Sequence, residues 1–145
     1  MPKEAIERLN FLCETIPNLL SGISETEFSY KPSIEKWSKK EILGHLIDSA
    51  TNNHQRFVRA QFQDVPHIIY DQNNWNKFSF YQSMDSTHLI NLWTVYNLHL
   101  VEIMKRIPAE NLKRECQTES LVTIEWLIID YVKHLEHHLK QLVNV

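Results

Sequence analysis

Three of the chain's eight histidines fall within five residues, in the stretch Asp130-Tyr-Val-Lys-His-Leu-Glu-His-His-Leu-Lys-Gln141. His134 and His138 stand four apart. On a helix that spacing puts both rings on one face, one turn above the other. Two imidazoles stacked on a rigid element can serve as two ligands of one divalent metal ion. His137 lies about 100° round the helix from His138, on the line of Asp130 and Lys133, and so points toward solvent. His138 occupies a seam position where Leu or Ile is expected. A single histidine in such a place reads as a satisfied core residue. Two on one inward turn both need partners in an apolar core, and one shared metal supplies both.

Metal sites that perform chemistry keep three protein ligands and an open position. The third ligand should come from another helix. His45 is the first choice, because it lies on a helix at the edge of an apolar stripe. It shares a line with Asp48, Ser49, Asn52 and Arg56. Asp48 and Asn52 could orient the ligands or touch a substrate. Read from periodicity alone, the same line is a solvated helix face. His54, His67, His88 and His99 have no comparable geometry and read as surface or loop residues, although His67 could approach the site if its loop folds over. One divalent ion is expected. Its identity stays open among zinc, nickel, iron, copper and manganese, since imidazole selects weakly between such metals.

Other templates are absent. The metalloprotease motif needs a Glu directly after the first His. Here Glu136 follows His134 by two residues, about 200° round the helix, and points away. The di-iron bundle needs Glu-x-x-His repeats, and none occurs. There is no Gly-rich phosphate loop, no Gly-x-Ser-x-Gly and no Cys-x-x-Cys. Cys13 lies on an apolar helical stripe and reads as a small core residue. Cys13 and Cys116 form no metal-type pair, and both are expected to stay reduced.

The elements that must position these residues are helical. A chain of 145 residues, 43% hydrophobic, with only two glycines, implies one domain over 1–145 built of long helices with few tight turns. The first helix spans 3–23 on the stripe Ile6, Leu9, Cys13, Ile16 and Leu20. Pro17 should kink it or end it early. Ser24-Glu-Thr-Glu27 has the capping-box pattern and starts a short turn. A second capping box, Ser38-Lys-Lys-Glu41, opens the second helix, over 38–63. Residues 64–84 lose helical periodicity and form a long loop between helices 2 and 3. Two readings stand for it: a functional pocket wall, or aromatics that only seal the bundle end. The third helix starts at Asp85 or Ser86 and stops before Pro108. Residues 109–122 are polar and connecting. Thr123 caps the fourth helix, whose seam is Ile124, Ile128, Tyr131, Leu135, His138 and Leu142. No convincing strand run occurs. The fold class is therefore all-α, a four-helix bundle.

Charge and hydropathy narrow the partners. A formal net charge of −3 with no basic stripe argues against nucleic acid. No segment has membrane-spanning length. The first residues carry no apolar run of the signal-peptide kind, so a cytoplasmic protein is expected.

Three stretches resemble one family. Lys36-Trp-Ser-Lys-Lys-Glu-Ile-Leu-Gly-His-Leu-Ile-Asp-Ser49 resembles the helix-two signature of the DinB/YfiT-like superfamily. Ile69-Tyr-Asp-Gln-Asn-Asn-Trp75 resembles its Tyr-Asp…Trp connection, and Asp130–Leu139 its terminal helix. The resemblance implies a four-helix bundle, often a homodimer, with a divalent metal held by His45, His134 and His138. It also implies a small-molecule substrate, because the family includes low-molecular-weight thiol S-transferases, a metal-dependent maleylpyruvate isomerase and metal-dependent hydrolases. Tyr70, Asp71 and Trp75 would then lie nearest the pocket. Pro17 and the 109–122 connection have no counterpart in the family pattern, which leaves the pocket rim open. Two functions follow: a metal-dependent thiol transferase or hydrolase, or a non-catalytic metal-binding or dimerising bundle. The lack of a carboxylate at an obvious catalytic spacing keeps the second in view.

Overall fold

The computed structural model describes residues 2–145. Four long helices, α1 (Pro2–Ser21), α3 (Lys39–Arg59), α5 (Ser86–Arg106) and α6 (Ile124–Leu139), form the bundle. Between them come α2 (Glu25–Ser29), α4 (Gln72–Ser79), a 3₁₀ turn at Tyr81–Ser83, and a hairpin of β1 (Glu115–Gln117) and β2 (Leu121–Thr123). Each long helix packs on two others in the cyclic order α1–α5–α3–α6. Leu9, Leu12, Ile16 and Leu20 of α1 meet Leu43, Leu46 and Phe57 of α3, Leu89, Trp93 and Leu100 of α5 and Ile128 and Leu135 of α6 in one buried core. Among the described residues no helix is long and apolar enough to cross a membrane.

The helix starts follow the side-chain caps. The Ser38 hydroxyl accepts from the Glu41 N–H, and the Glu41 carboxylate accepts from the Ser38 N–H, completing the capping box. Thr123 accepts from the Trp126 N–H at the start of α6. Ser24 accepts from the Glu27 N–H, but the Glu27 carboxylate pairs with Lys39 instead of closing a box. Pro17 does not end α1. The helix continues to Ser21, because Ile16 and Leu20 on either side are fully buried and their packing outweighs one lost backbone hydrogen bond.

Two connections are more ordered than expected. The 64–84 stretch is no plain loop. Asp71 accepts from the Asn74 N–H and starts α4, and Phe80 ends it in the left-handed region at φ 61°. The 109–122 connection contains the hairpin, whose three-residue strands are too short for an alternation pattern to register. The hairpin also anchors the loop. Ile68 N–H donates to Gln117 O, and Gln117 N–H donates to Pro66 O, both at 2.9 Å.

Gly44 decides how the 3₁₀ turn meets α3. A Cβ added there would lie 2.1 Å from the Tyr81 ring. Without it, the ring packs against α3 at Gly44 and its hydroxyl reaches Asp48. Replacing Gly44 by Ala gains about 1 kcal/mol of helix propensity but overpacks a ring that cannot simply swing away, which typically costs about 1–3 kcal/mol. Gly44→Ala should therefore unfold at a lower urea concentration than wild type. An unchanged or higher midpoint would show that Tyr81 is not held there.

Candidate metal centre

His45, His134 and His138 converge where α3 crosses α6. Each offers a ring nitrogen within 4.8 Å of the other two. The Nε2 atoms of His134 and His138 are 3.2 Å apart. Two nitrogens bound to one tetrahedral ion at about 2.0–2.1 Å would lie about 3.3 Å apart, so this pair is already at ligand spacing. The rings stand nearly perpendicular to one another, with interplanar angles of 77°, 79° and 80°. That arrangement aims edges, where the lone pairs lie, at a common point. His45 is 1% exposed, and its Nδ1 is buried without a hydrogen-bond partner. An orphaned buried nitrogen is costly, and the three donors together fit a divalent ion.

Supports hold each ring. Trp37 packs on His45 with ring centres 5.1 Å apart. The Gln141 side chain meets His138 Nδ1 at 3.0 Å, which fixes the ring with its Nε2 inward. His137 is exposed and takes no part. Glu136 points to α1, where it accepts from Arg8 in an ion pair of 2.7 Å.

The polar line on α3 is buried, not a solvated face. Asp48 is 2% and Asn52 3% exposed. The line turns inward because α6 and Tyr81 cover it. The Tyr81 hydroxyl donates to Asp48 Oδ1, while Oδ2 is buried without a partner. Asn52 braces the helix by donating to the Asp48 carbonyl at 2.9 Å. Tyr70 lines a cavity of about 290 Å³ that opens on His134 and is bounded by Ser49, Asn53, Arg56, Trp126 and Asp130. Trp75 stands outside it, edge-on to Tyr70 at 6.0 Å, and Asp71 is spent on capping α4. The 64–84 segment therefore both walls the cavity, through Tyr70, and seals the bundle, through Tyr81. His67 is exposed and lies away from the three rings. His54 is not a bare surface residue: its Nδ1 meets the Tyr96 hydroxyl at 2.8 Å.

Sequence reasoning gave no site role to Gln141, Trp37 or Tyr81, and placed Arg56 on the line of His45 without one. Gln141 had a signal in its i, i+3 spacing from His138. Tyr81 had none, since only the fold brings it to α3. Cys13 is buried as expected, and burial pushes its thiol up to about 12, far from a nucleophile's range.

Burial sets the protonation states. Desolvation, then the charges of His134 and His138, push His45 down to about 4. Desolvation and His138 also lower His134, with Asp130 pulling the other way. Both imidazoles are neutral at pH 7 and keep lone pairs for a metal. Desolvation pushes Asp48 up to about 6, and the Tyr81 hydrogen bond partly offsets it.

Comparisons with known proteins identify the family and the fold. The profile of the DinB superfamily matches residues 9–142, and the chain belongs to that family. The Bacillus subtilis protein named "Putative metal-dependent hydrolase YfiT" is 22% identical over 113 residues, 75% of this chain and 64% of that protein. The chain thus spans a little under two thirds of that relative. BH0277 of Halalkalibacterium halodurans, which carries the same designation, is 26% identical over 92% of this chain and 80% of its own length. The solved structure of Bacillus subtilis YfiT, described as an unusual four-helix bundle topology, superposes with a TM-score of 0.87 at 18% identity, covering 97% of this chain and 83% of that one. A mycothiol-dependent maleylpyruvate isomerase superposes with a TM-score of 0.80 at 13% identity, covering 98% of this chain and 60% of that one. The four-helix bundle is thereby the shared fold.

The shifts carry opposite signs in pH. Between about 4 and 6.5 the unfolded chain binds a proton at position 45 that the folded His45 refuses, so stability falls as pH drops. Between the ordinary carboxylate range and about 6 the folded Asp48 keeps a proton that the unfolded chain releases, so stability rises as pH drops. The two offset in wild type. In metal-free protein, Asp48→Asn should therefore lose more stability than wild type between pH 6.5 and 4.5 in urea titrations. Parallel pH profiles would refute the assignment.

Proposed function

We propose that His45, His134 and His138 bind one divalent metal ion and that the protein is a metal-dependent enzyme acting on a small molecule held in the adjoining cavity. The observation that carries this reading is the convergence of three mutually perpendicular imidazoles, two of them with Nε2 atoms 3.2 Å apart. The relatives' designation as metal-dependent hydrolases supports the metal. The thiol-dependent isomerase of like fold supports thiol chemistry as well as hydrolysis.

When bound, a divalent ion supplies Lewis acidity that makes hydroxide or thiolate available at neutral pH. The chain's own residues do the rest. Neutral His45 and His134 offer lone pairs at pH 7. Gln141 holds His138 in one orientation, and Trp37 holds His45. The cavity beside His134 orients the substrate, with Tyr70 and Trp126 as its aromatic walls. Asp48, one helical turn from His45, has one oxygen fixed by Tyr81 and the other without a partner, and can hold a proton beside the site. A cytoplasmic homodimer is part of the same reading.

Protein purified without a nickel column should carry about one ion per chain, on three-ligand logic. His134→Ala and His138→Ala should each lose most of it by elemental analysis while keeping wild-type helicity. Full occupancy in both variants would remove this metal assignment. A screen of zinc-, nickel-, iron- and manganese-loaded protein against ester and amide substrates, and against electrophiles with thiols, should show turnover that His45→Ala abolishes. Metal stabilisation with no turnover in any arm would leave a non-catalytic bundle.

A further inference from the structure

Arg56 is the one cation in the wall of the cavity beside His134, and the proposed chemistry does not use it. Burial lowers its pKa, the largest influence on it. It makes no ion pair among the described residues, since every carboxylate lies beyond bridging distance. Its Nε and Nη2 donate to the Ile68 carbonyl at 3.1 and 2.8 Å, and its Nη1 donates to Asn53 Oδ1 at 3.3 Å. A guanidinium has five N–H groups, so two remain. These contacts lock the fork in place without neutralising it. A half-buried cation whose contacts are dipoles and the Tyr70 ring, with Glu119 and Asp130 acting on it only from beyond bridging distance, leaves room for an entering anion in bidentate geometry.

We infer that Arg56 receives a carboxylate at the far end of the substrate, so that the substrate is a small monocarboxylate whose reacting atom lies at the three histidines. This rests on the proposed site. Eleven residues of α3 separate His45 from Arg56, roughly 16 Å of helix rise, so the carboxylate and the reacting atom belong to opposite ends of one molecule. Asp130 and Glu119 stand exposed on the rim of the same cavity and repel further negative charge. They favour one anionic group over several. Tyr70, whose ring lies 5.9 Å from the Arg56 guanidinium, and Trp126 accept the apolar middle.

The probes are 6-mercaptohexanoate and 6-mercaptohexanol, which differ only in the terminal group. They would be titrated calorimetrically into zinc-loaded wild type, Arg56→Gln and His134→Ala. Wild type should bind the acid at least about ten-fold more tightly than the alcohol, as a hydrogen bond to a charged group warrants. In Arg56→Gln the preference should fall to about one-fold while the affinity for the alcohol is kept. The ratio is taken within each protein, so a loosened Ile68 loop lowers both affinities and leaves it readable. If the variant fails to fold, the wild-type ratio alone decides. Equal affinities in wild type, or a preference that survives in Arg56→Gln, would overturn the inference. Failure of the metal reading looks different: zinc and His134→Ala would change neither thiol's affinity, while hexanoate would still bind wild type more tightly than hexanol does.

Discussion

The structure depends on three imidazoles sharing a small, poorly hydrated space with no carboxylate among them. Burial among these rings lowers the proton affinity of His45 and His134. His134 and His138 partner each other across 3.2 Å, but the buried Nδ1 of His45 has no partner, which is costly. The cluster's persistence requires strong outside support. Trp37 packs on His45, Gln141 fixes His138, and the crossing of α3 and α6 sets the separation. Were the rings free to turn outward, water would satisfy them singly and the convergence would vanish.

Beneath that cluster sits a second arrangement of opposite character. Gly44 lets Tyr81 lie against α3, and Tyr81 occupies one oxygen of Asp48. Burial makes His45 give up its proton more readily and makes Asp48 hold its proton to a higher pH, because water is excluded from the same stretch of helix. The fold thus places a base and an acid shifted in opposite directions one helical turn apart. Desolvation is the largest cause of both shifts, with His134 and His138 adding to it at His45 and the Tyr81 hydrogen bond opposing it at Asp48.

The bundle and the histidine pair were legible because both rest on helical periodicity, which long segments state many times over. Ser38 and Glu41, Thr123 and the seam of α6 all carry local signals that survive in the fold. What was hidden depended on long-range contact. Periodicity shows that His45, Asp48 and Asn52 share a face, but not whether α6 and Tyr81 cover it. The 115–123 hairpin repeats its pattern too few times to be read. Pro17 misled because its local cost is smaller than the packing of Ile16 and Leu20 beside it.

The backbone of Ile68 joins three parts of the molecule. Its carbonyl is gripped by Arg56 of α3, and its N–H is taken by Gln117 of the hairpin. Helix, loop and hairpin are thereby riveted through the two peptide groups that flank one α-carbon. The cavity wall they form shifts as one piece or not at all. Such a cup sorts molecules by outline at its mouth, and a displacement of the hairpin tip would be felt directly at the guanidinium on its floor.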